Sequence, residues 1–263
     1  MLKRELKINF KSLIIWVNIA IILCLIVFLV YPSIINGEET QSMNEMLKMF
    51  PEDILKAFNM DIAGIDSVFG WFKTEGTVFL GIIGGLYAAI LGSTILVKEE
   101  NDKTIEFLYS KPINRSNIVT SKIIAGIINI FIFTIVITLF NLFGMMLSKD
   151  LDLIPFLLIT TAPIFIYCML FFISLFISTF LRKTKQAMSI GIAIVFISYF
   201  LQIIGNMSKN IEFIKYFSAF EFVSSRYIIL NNRLDMKFIL IGLVVIGLCI
   251  LGTYKNYNKK ELV

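Results

Sequence analysis

The sequence predicts an all-α, polytopic membrane protein with six transmembrane helices. Three observations carry that reading. Apolar residues make up 57% of the 263-residue chain and charged residues only 16%, where soluble domains average about a quarter charged. Mean hydropathy is +0.84. Six apolar runs, at 12–31, 76–97, 123–147, 153–180, 187–205 and 237–254, each approach or exceed the ~17–25 residues that cross a bilayer as a helix, and none carries Asp, Glu, Lys or Arg in its interior. No loop is large enough for a separate soluble unit, so residues 1–263 read as one transmembrane domain.

The first run follows a basic leader. No small-x-small cleavage site follows Val30-Tyr-Pro-Ser, so the run is expected to stay as the first span. In the leader, Leu2, Leu6 and Phe10 recur every four residues, and Lys3, Lys7 and Lys11 keep the same period. This predicts a short interfacial helix lying on the membrane surface ahead of the first span.

Orientation follows from the basic residues. With both termini in the cytoplasm, the inner side holds the leader, the 98–122 loop, the 181–186 turn and the end of the chain. Those segments carry 15 of the 24 Lys and Arg residues, while the outer segments carry 13 of the 19 acids. Both termini inside requires an even number of spans. The net charge of +5 thus reflects topology and anionic lipid rather than nucleic acid. The expected location is the cell membrane.

Composition also removes several chemistries. Cys24, Cys168 and Cys249 all fall in predicted spans and form no disulfide framework, and no metal site is expected. The chain has no histidine, which removes His-based dyads and the usual zinc sites. Intramembrane proteolysis needs a Ser–His pair, paired aspartates or a metal within the bilayer, and no span holds an Asp. No residues are proposed as catalytic.

The outer segments are modest. In 32–74, Pro51 followed by Glu52 and Asp53 reads as a helix start, with Ile54, Leu55 and Phe58 on one face. Segment 206–236 mixes Phe213, Tyr216, Phe217, Phe220 and Phe222 with Lys215, Glu221 and Arg226, a composition suited to the membrane interface. The second run has internal order. Gly81, Gly85, Ala89 and Ser93 recur every four residues, and Gly84, Ala88 and Gly92 form an adjacent row. Small residues so spaced let helix backbones approach closely, within the protomer or across a dimer interface or translocation path. Asn129, Asn141 and Gln202 are isolated amides expected to bond neighbouring helices.

The densest feature is the charged block Lys98 to Arg115 between the second and third runs. Asn101 or Asp102 can cap a helix running to about Ser110, and Pro112 stops it. Ile105, Leu108 and Tyr109 share a face, flanked by Glu99, Glu100, Asp102 and Glu106. A loop that only sets topology needs few acids and no apolar face; a short helix of this kind suits docking into a groove on a partner.

In this block the chain resembles the first cytoplasmic loop of type-2 ABC exporter (ABC-2 type) permeases. That pattern has an acidic start, a Thr followed by apolar residues, then Pro, Arg and Lys. Glu99, Thr104, Leu108, Pro112, Arg115 and Lys122 match it, while Lys103 stands where the pattern often has Gly. The layout of surface helix, six spans and outer Pro-Glu helix extends the likeness to the whole chain. The resemblance implies a permease subunit that works as a homodimer or pairs with a second permease over two ABC ATPase subunits. It also implies a cytoplasmic coupling helix between spans 2 and 3, with Glu99, Asp102, Thr104, Ile105, Glu106, Leu108, Pro112 and Arg115 as the ATPase-coupling residues. Glu106 and Asp102 would supply charge pairs, Ile105 and Leu108 the buried knobs, and Pro112 the helix stop.

The residues agree on one point. No G-x-x-x-x-G-K-[ST] phosphate loop is present, so this chain binds no nucleotide, and ATP and Mg are expected in the partner ATPase. The importer-type Glu-Ala-Ala loop is absent, and uncharged span interiors argue against an ion-coupled carrier. With 25 Phe and 11 Met, the chain suits an amphipathic or hydrophobic substrate such as an antimicrobial peptide, lipid-linked molecule or drug. The alternative is a membrane scaffold or sensor that associates with an ATPase without transporting.

Overall fold

The computed structural model describes residues 1–35, 49–51, 72, 76–104, 114–148, 152–207, 209–223, 228 and 234–260. All regular structure among them is helical, and six helices are long and apolar enough to cross a membrane. The outer Pro51 helix and the coupling helix both fall outside the described residues.

Helix α1 (Leu2–Ile35) is a single unbroken helix. The separate surface helix expected in the leader is instead its first turns. The physical reason is local: no Gly or Pro lies between Lys3 and Val30 to break it. Its 34 residues would reach about 51 Å, well beyond the ~30 Å bilayer core, so its basic end projects past the apolar zone. Lys3, Arg4, Lys7 and Lys11 on that end are exposed, whereas Glu5 among them is buried.

Helix α2 (Thr77–Ile95) is followed by the one-turn helix α3 (Lys98–Asn101). Helix α4 (Arg115–Ser148) begins eight residues before the apolar run it contains. The fourth span has two pieces, α5 (Leu153–Thr161) and α6 (Pro163–Ser178), joined through the helical Ala162. Pro163 lacks the N–H that would continue the ladder, but as the first residue of α6 it needs none. Helices α7 (Thr184–Met207) and α8 (Met236–Lys259) complete the six. The Asp235 side chain caps α8 by accepting from the Lys237 N–H at 3.0 Å.

Helix α2 is the central element, packed most extensively on α6 and then on α7. Its two small-residue rows make this possible. A Cβ at Gly92 would run into the Phe171 backbone oxygen, and one at Gly85 would lie 2.9 Å from Leu170 Cδ1. From the other side, Gly191 of α7 approaches the Ala89 oxygen and Ser93 Oγ. The rows thus pack within the protomer. The closest backbone approach lies on the Gly84–Ala88–Gly92 row, not on the Gly81–Gly85–Ala89–Ser93 row.

An aromatic column fills the space beside α2. Trp16, Tyr87, Phe133 and Tyr167 follow one another at centroid separations of 6.2, 5.2 and 5.9 Å. The Tyr167 hydroxyl donates to the Leu80 oxygen at 2.8 Å. Phe28, Phe72 and Phe156 stack at 6.3 and 6.2 Å further along the bundle.

The isolated amides behave differently from one another. Gln202 Nε2 donates to Glu221 at 3.3 Å, outside its own helix. Asn129 bonds its own helix, to the Ala125 oxygen at 2.7 Å. Asn141 is fully buried, and its side chain meets the Cys24 thiol of α1, a neighbouring helix.

The aromatic segment after α7 forms two 3-10 pieces, Lys209–Phe217 and Ala219–Val223. Ser218 separates them and fastens them to α7. Its hydroxyl donates to the Ser198 oxygen at 2.7 Å, and the Ala219 N–H donates back to Ser198 Oγ at 2.7 Å. Phe213, Tyr216 and Phe217 stay exposed, while Phe220 and Phe222 enter the core.

Candidate functional site

The charged block is anchored at the end of the bundle that carries both termini. The start of α1, the ends of α2, α6 and α8, and the starts of α4 and α7 all meet there. Lys122 is its keystone. This side chain is 1% exposed and donates to Glu99 Oε1 and Oε2 at 2.6 and 2.7 Å and to the Ile95 oxygen at 2.5 Å. A second carboxylate, Glu5 of α1, lies 3.5 Å away and is equally buried. One cation therefore ties α1, the α2–α3 junction and α4 together. Removing one partner of such a pair leaves an uncompensated buried charge.

The chain leaving this anchor stops abruptly. Asp102 and Lys103 donate to the Lys98 and Glu100 oxygens at 2.9 and 3.2 Å, and the Thr104 N–H reaches back to Glu99 at 2.9 Å. These are the paired bonds of a helix C-terminus closed by a left-handed residue. Lys103 supplies that residue, with φ at 53°. Asn101 and Asp102 thus end a helix rather than start one, contrary to the capping role expected from sequence. The Asn101 side chain instead donates to Asp102 Oδ1 at 3.1 Å, and its Oδ1 accepts from the Thr184 N–H at 3.3 Å.

The residues expected to couple to a partner separate into three groups. Asp102 and Thr104 are exposed. Ile105, Glu106, Leu108 and Pro112 lie outside the described residues. Glu99 and Arg115 face inward: Glu99 is buried against Lys122, and Arg115 Nη1 donates to the Asn258 and Lys260 oxygens at 3.1 and 2.9 Å. Glu100, expected on a charged docking face, is 5% exposed at its side chain and lies 2.7 Å from Lys260. These acids hold the base of the loop within the protomer.

Sequence reasoning matched Lys122 to the loop pattern but gave it no coupling role, and it did not single out Glu5 or Lys260. A signal was present for two of them. Lys122 is the charge that borders the third apolar run, and Glu5 is the lone acid in a basic leader.

No group of His, Cys, Asp or Glu among the described residues is arranged to hold a metal ion. What the site offers is mechanical: a buried ion cluster at one end of a six-span bundle, beside which the chain leaves at an exposed Thr104 and re-enters at an exposed Asn114. That defines a multi-pass membrane protein with a built loop anchor. A family model for ABC-2 family transporter proteins matches residues 1–262, and the chain belongs to that family. It is accordingly a permease component of an ABC transporter, a transport subunit partnered by an ABC ATPase subunit. Comparison with curated proteins and with solved structures finds no match.

Proposed function

We propose that this subunit is the transmembrane half of an ATP-driven exporter, and that residues 99–115 couple it to the ATPase. The observation that carries the reading is the buried Lys122–Glu99 pair, which ties the base of the loop to α2 and α4 together. A push on the loop would move both helices as one, because neither charge can leave the other without exposing a buried ion. Ile105 and Leu108 are the knobs that enter the ATPase groove, Asp102 and Glu106 pair with its charges, and Pro112 ends the docking helix.

In this reading both termini and the loop are cytoplasmic, and the protein lies in the cell membrane. The basic residues around Lys3, Lys7, Lys183 and Lys259 support that side. The subunit works as a dimer, with itself or with a second permease, and ATP and Mg act in the partner chain. The transported molecule is amphipathic or hydrophobic, in keeping with the Phe-rich, uncharged span interiors.

The test is the double variant Ile105→Asp/Leu108→Asp, co-expressed with the ATPase. It inserts normally, yet the stimulation of ATP hydrolysis that the assembled permease gives its ATPase, measured against the ATPase alone, is lost. Unchanged stimulation in that variant removes the coupling role.

A further inference from the structure

Four residues in the segment 254–260, at the end of α8, bond to both stems of the loop or to the α6–α7 turn: Tyr254, Asn256, Asn258 and Lys260. The upstream stem is met by Lys260, whose Nζ lies 2.7 Å from Glu100 Oε1, with side-chain exposures of 12% and 5%. The same Nζ donates to the Leu181 oxygen in the α6–α7 turn at 2.7 Å. The downstream stem is met three times. Arg115 donates to the Asn258 and Lys260 oxygens, Asn258 Nδ2 donates to Ser116 Oγ at 3.2 Å, and the Thr120 and Tyr254 hydroxyls lie 2.7 Å apart. Asn256 Nδ2 adds a bond to Thr179 Oγ1 at 3.4 Å.

The chemistry accounts for the convergence. The last carbonyls of a helix have no partner inside it, and its C-terminus carries partial negative charge. The Asn258 oxygen in the last turn of α8 and the Lys260 oxygen just past it both accept from the Arg115 guanidinium. Arg115 opens α4, where a cation would otherwise face the positive end of a helix. Each helix terminus therefore relieves the other. The Lys122 cluster holds α1, α2 and α4; the 254–260 contacts add α6, α7 and α8 to the same unit.

We propose that residues 254–260 are a positioning element for the loop. They fasten both of its stems and the α6–α7 turn into one body, so that a displacement of the loop reaches all six spans. The consequence for transport rests on the coupling role proposed above; the fastening itself does not.

Two readouts separate the two. The full chain, assembled with its ATPase in everted vesicles, is compared as wild type, Lys260→Glu, Glu100→Lys and the double swap. An Arg-specific protease cuts after Arg115 once its guanidinium leaves the Asn258 and Lys260 oxygens, so cutting there tracks the population of the opened stem. Each single variant is cut about threefold faster or more, and the swap recovers part of the difference, because it restores the Glu100–Lys260 pair but not the Lys260 bond to the Leu181 oxygen. If either single charge reversal fails to insert, Lys260→Met replaces it, with the same expected acceleration. Wild-type cutting in the single variants, or a swap that does not rescue, overturns the proposal.

Permease-stimulated ATP hydrolysis in the same vesicles, measured against the ATPase alone, falls several-fold in each single variant and recovers in part in the swap. Faster cutting in Lys260→Glu, with stimulation untouched by Ile105→Asp/Leu108→Asp, keeps the fastening and sinks the coupling role. Wild-type cutting in Lys260→Glu, with stimulation abolished by the double Asp variant, sinks the fastening alone.

Discussion

Lys122 grips both carboxylate oxygens of Glu99, at 2.6 and 2.7 Å, with 1% of the lysine side chain exposed. Replacing Lys122 with Met strands two buried carboxylates, Glu99 and Glu5. The expected cost is about 3–5 kcal/mol, the usual penalty for breaking a buried pair from one side. It reads out as a large fall in the thermal unfolding midpoint of the purified protein. Lys122→Met combined with Glu99→Gln recovers much of the loss, since both partners are then neutral. Glu5→Gln alone costs far less: its contact is the longer one, at 3.5 Å, and its Oε1 is buried with no partner among the described residues.

Lys103 holds a left-handed backbone that suits glycine, with φ at 53°. Lys103→Gly removes a conformational penalty of about 1–2 kcal/mol, against ~0.5–1 kcal/mol of extra chain entropy lost on folding. The net expectation is a gain of about 0.5–1 kcal/mol. A denaturation midpoint at or below wild type refutes it. Lys103→Val, which cannot relax the backbone, should lower the midpoint.

The two rows of small residues on α2 differ in what a methyl group meets. At Gly92 it meets the Phe171 backbone, which cannot swing aside; at Gly81 it makes ordinary contact with Phe220 at 3.4 Å. Gly92→Ala therefore costs about 1–3 kcal/mol by overpacking. Gly81→Ala is neutral or mildly stabilising, since Ala is the better helix former. Thermal unfolding of the two variants side by side decides, and equal midpoints contradict the assignment.

Glu221 sits in the second 3-10 piece, 8% exposed, and accepts from Gln202. Burial pushes its carboxyl above the usual 4.5; nearby Lys215 and the Gln202 bond pull it back down, while Glu212 and Asp235 push it up. A raised native value means that the folded state binds the proton more tightly than the unfolded chain does. Its contribution to stability is complete below 4.5 and declines as pH rises toward the raised value. Glu221→Gln therefore stabilises the protein at neutral pH and flattens that slope. A wild-type pH profile in the variant counts against it.

Span number and placement were legible because each span is a long uncharged run, and the bilayer requires backbone groups to bond within a helix. The boundaries were less so. Helix α4 begins at Arg115 because Lys122 turns inward to Glu99 rather than marking the helix end. The leader joined α1 because periodicity shows that a helix forms, not where it bends. The loop's acids read as a docking face because sequence shows charge but not direction. Glu99 and Glu100 in fact point to Lys122 and Lys260, partners 23 and 160 positions along the chain.

By itself the sequence determined the class of molecule: six apolar helices, the side on which basic residues gather, and a charged loop between the second and third. These are local properties, set by the composition of continuous segments in a solvent that cannot hydrogen-bond. Only the tertiary structure decided which charges meet. Whether Lys122 is a surface cation or a buried clamp, and whether Arg115 greets a partner or the end of α8, depends on helices far apart in the chain. Their approach is controlled by packing at Gly92, Gly191 and the aromatic column, and no single segment encodes it.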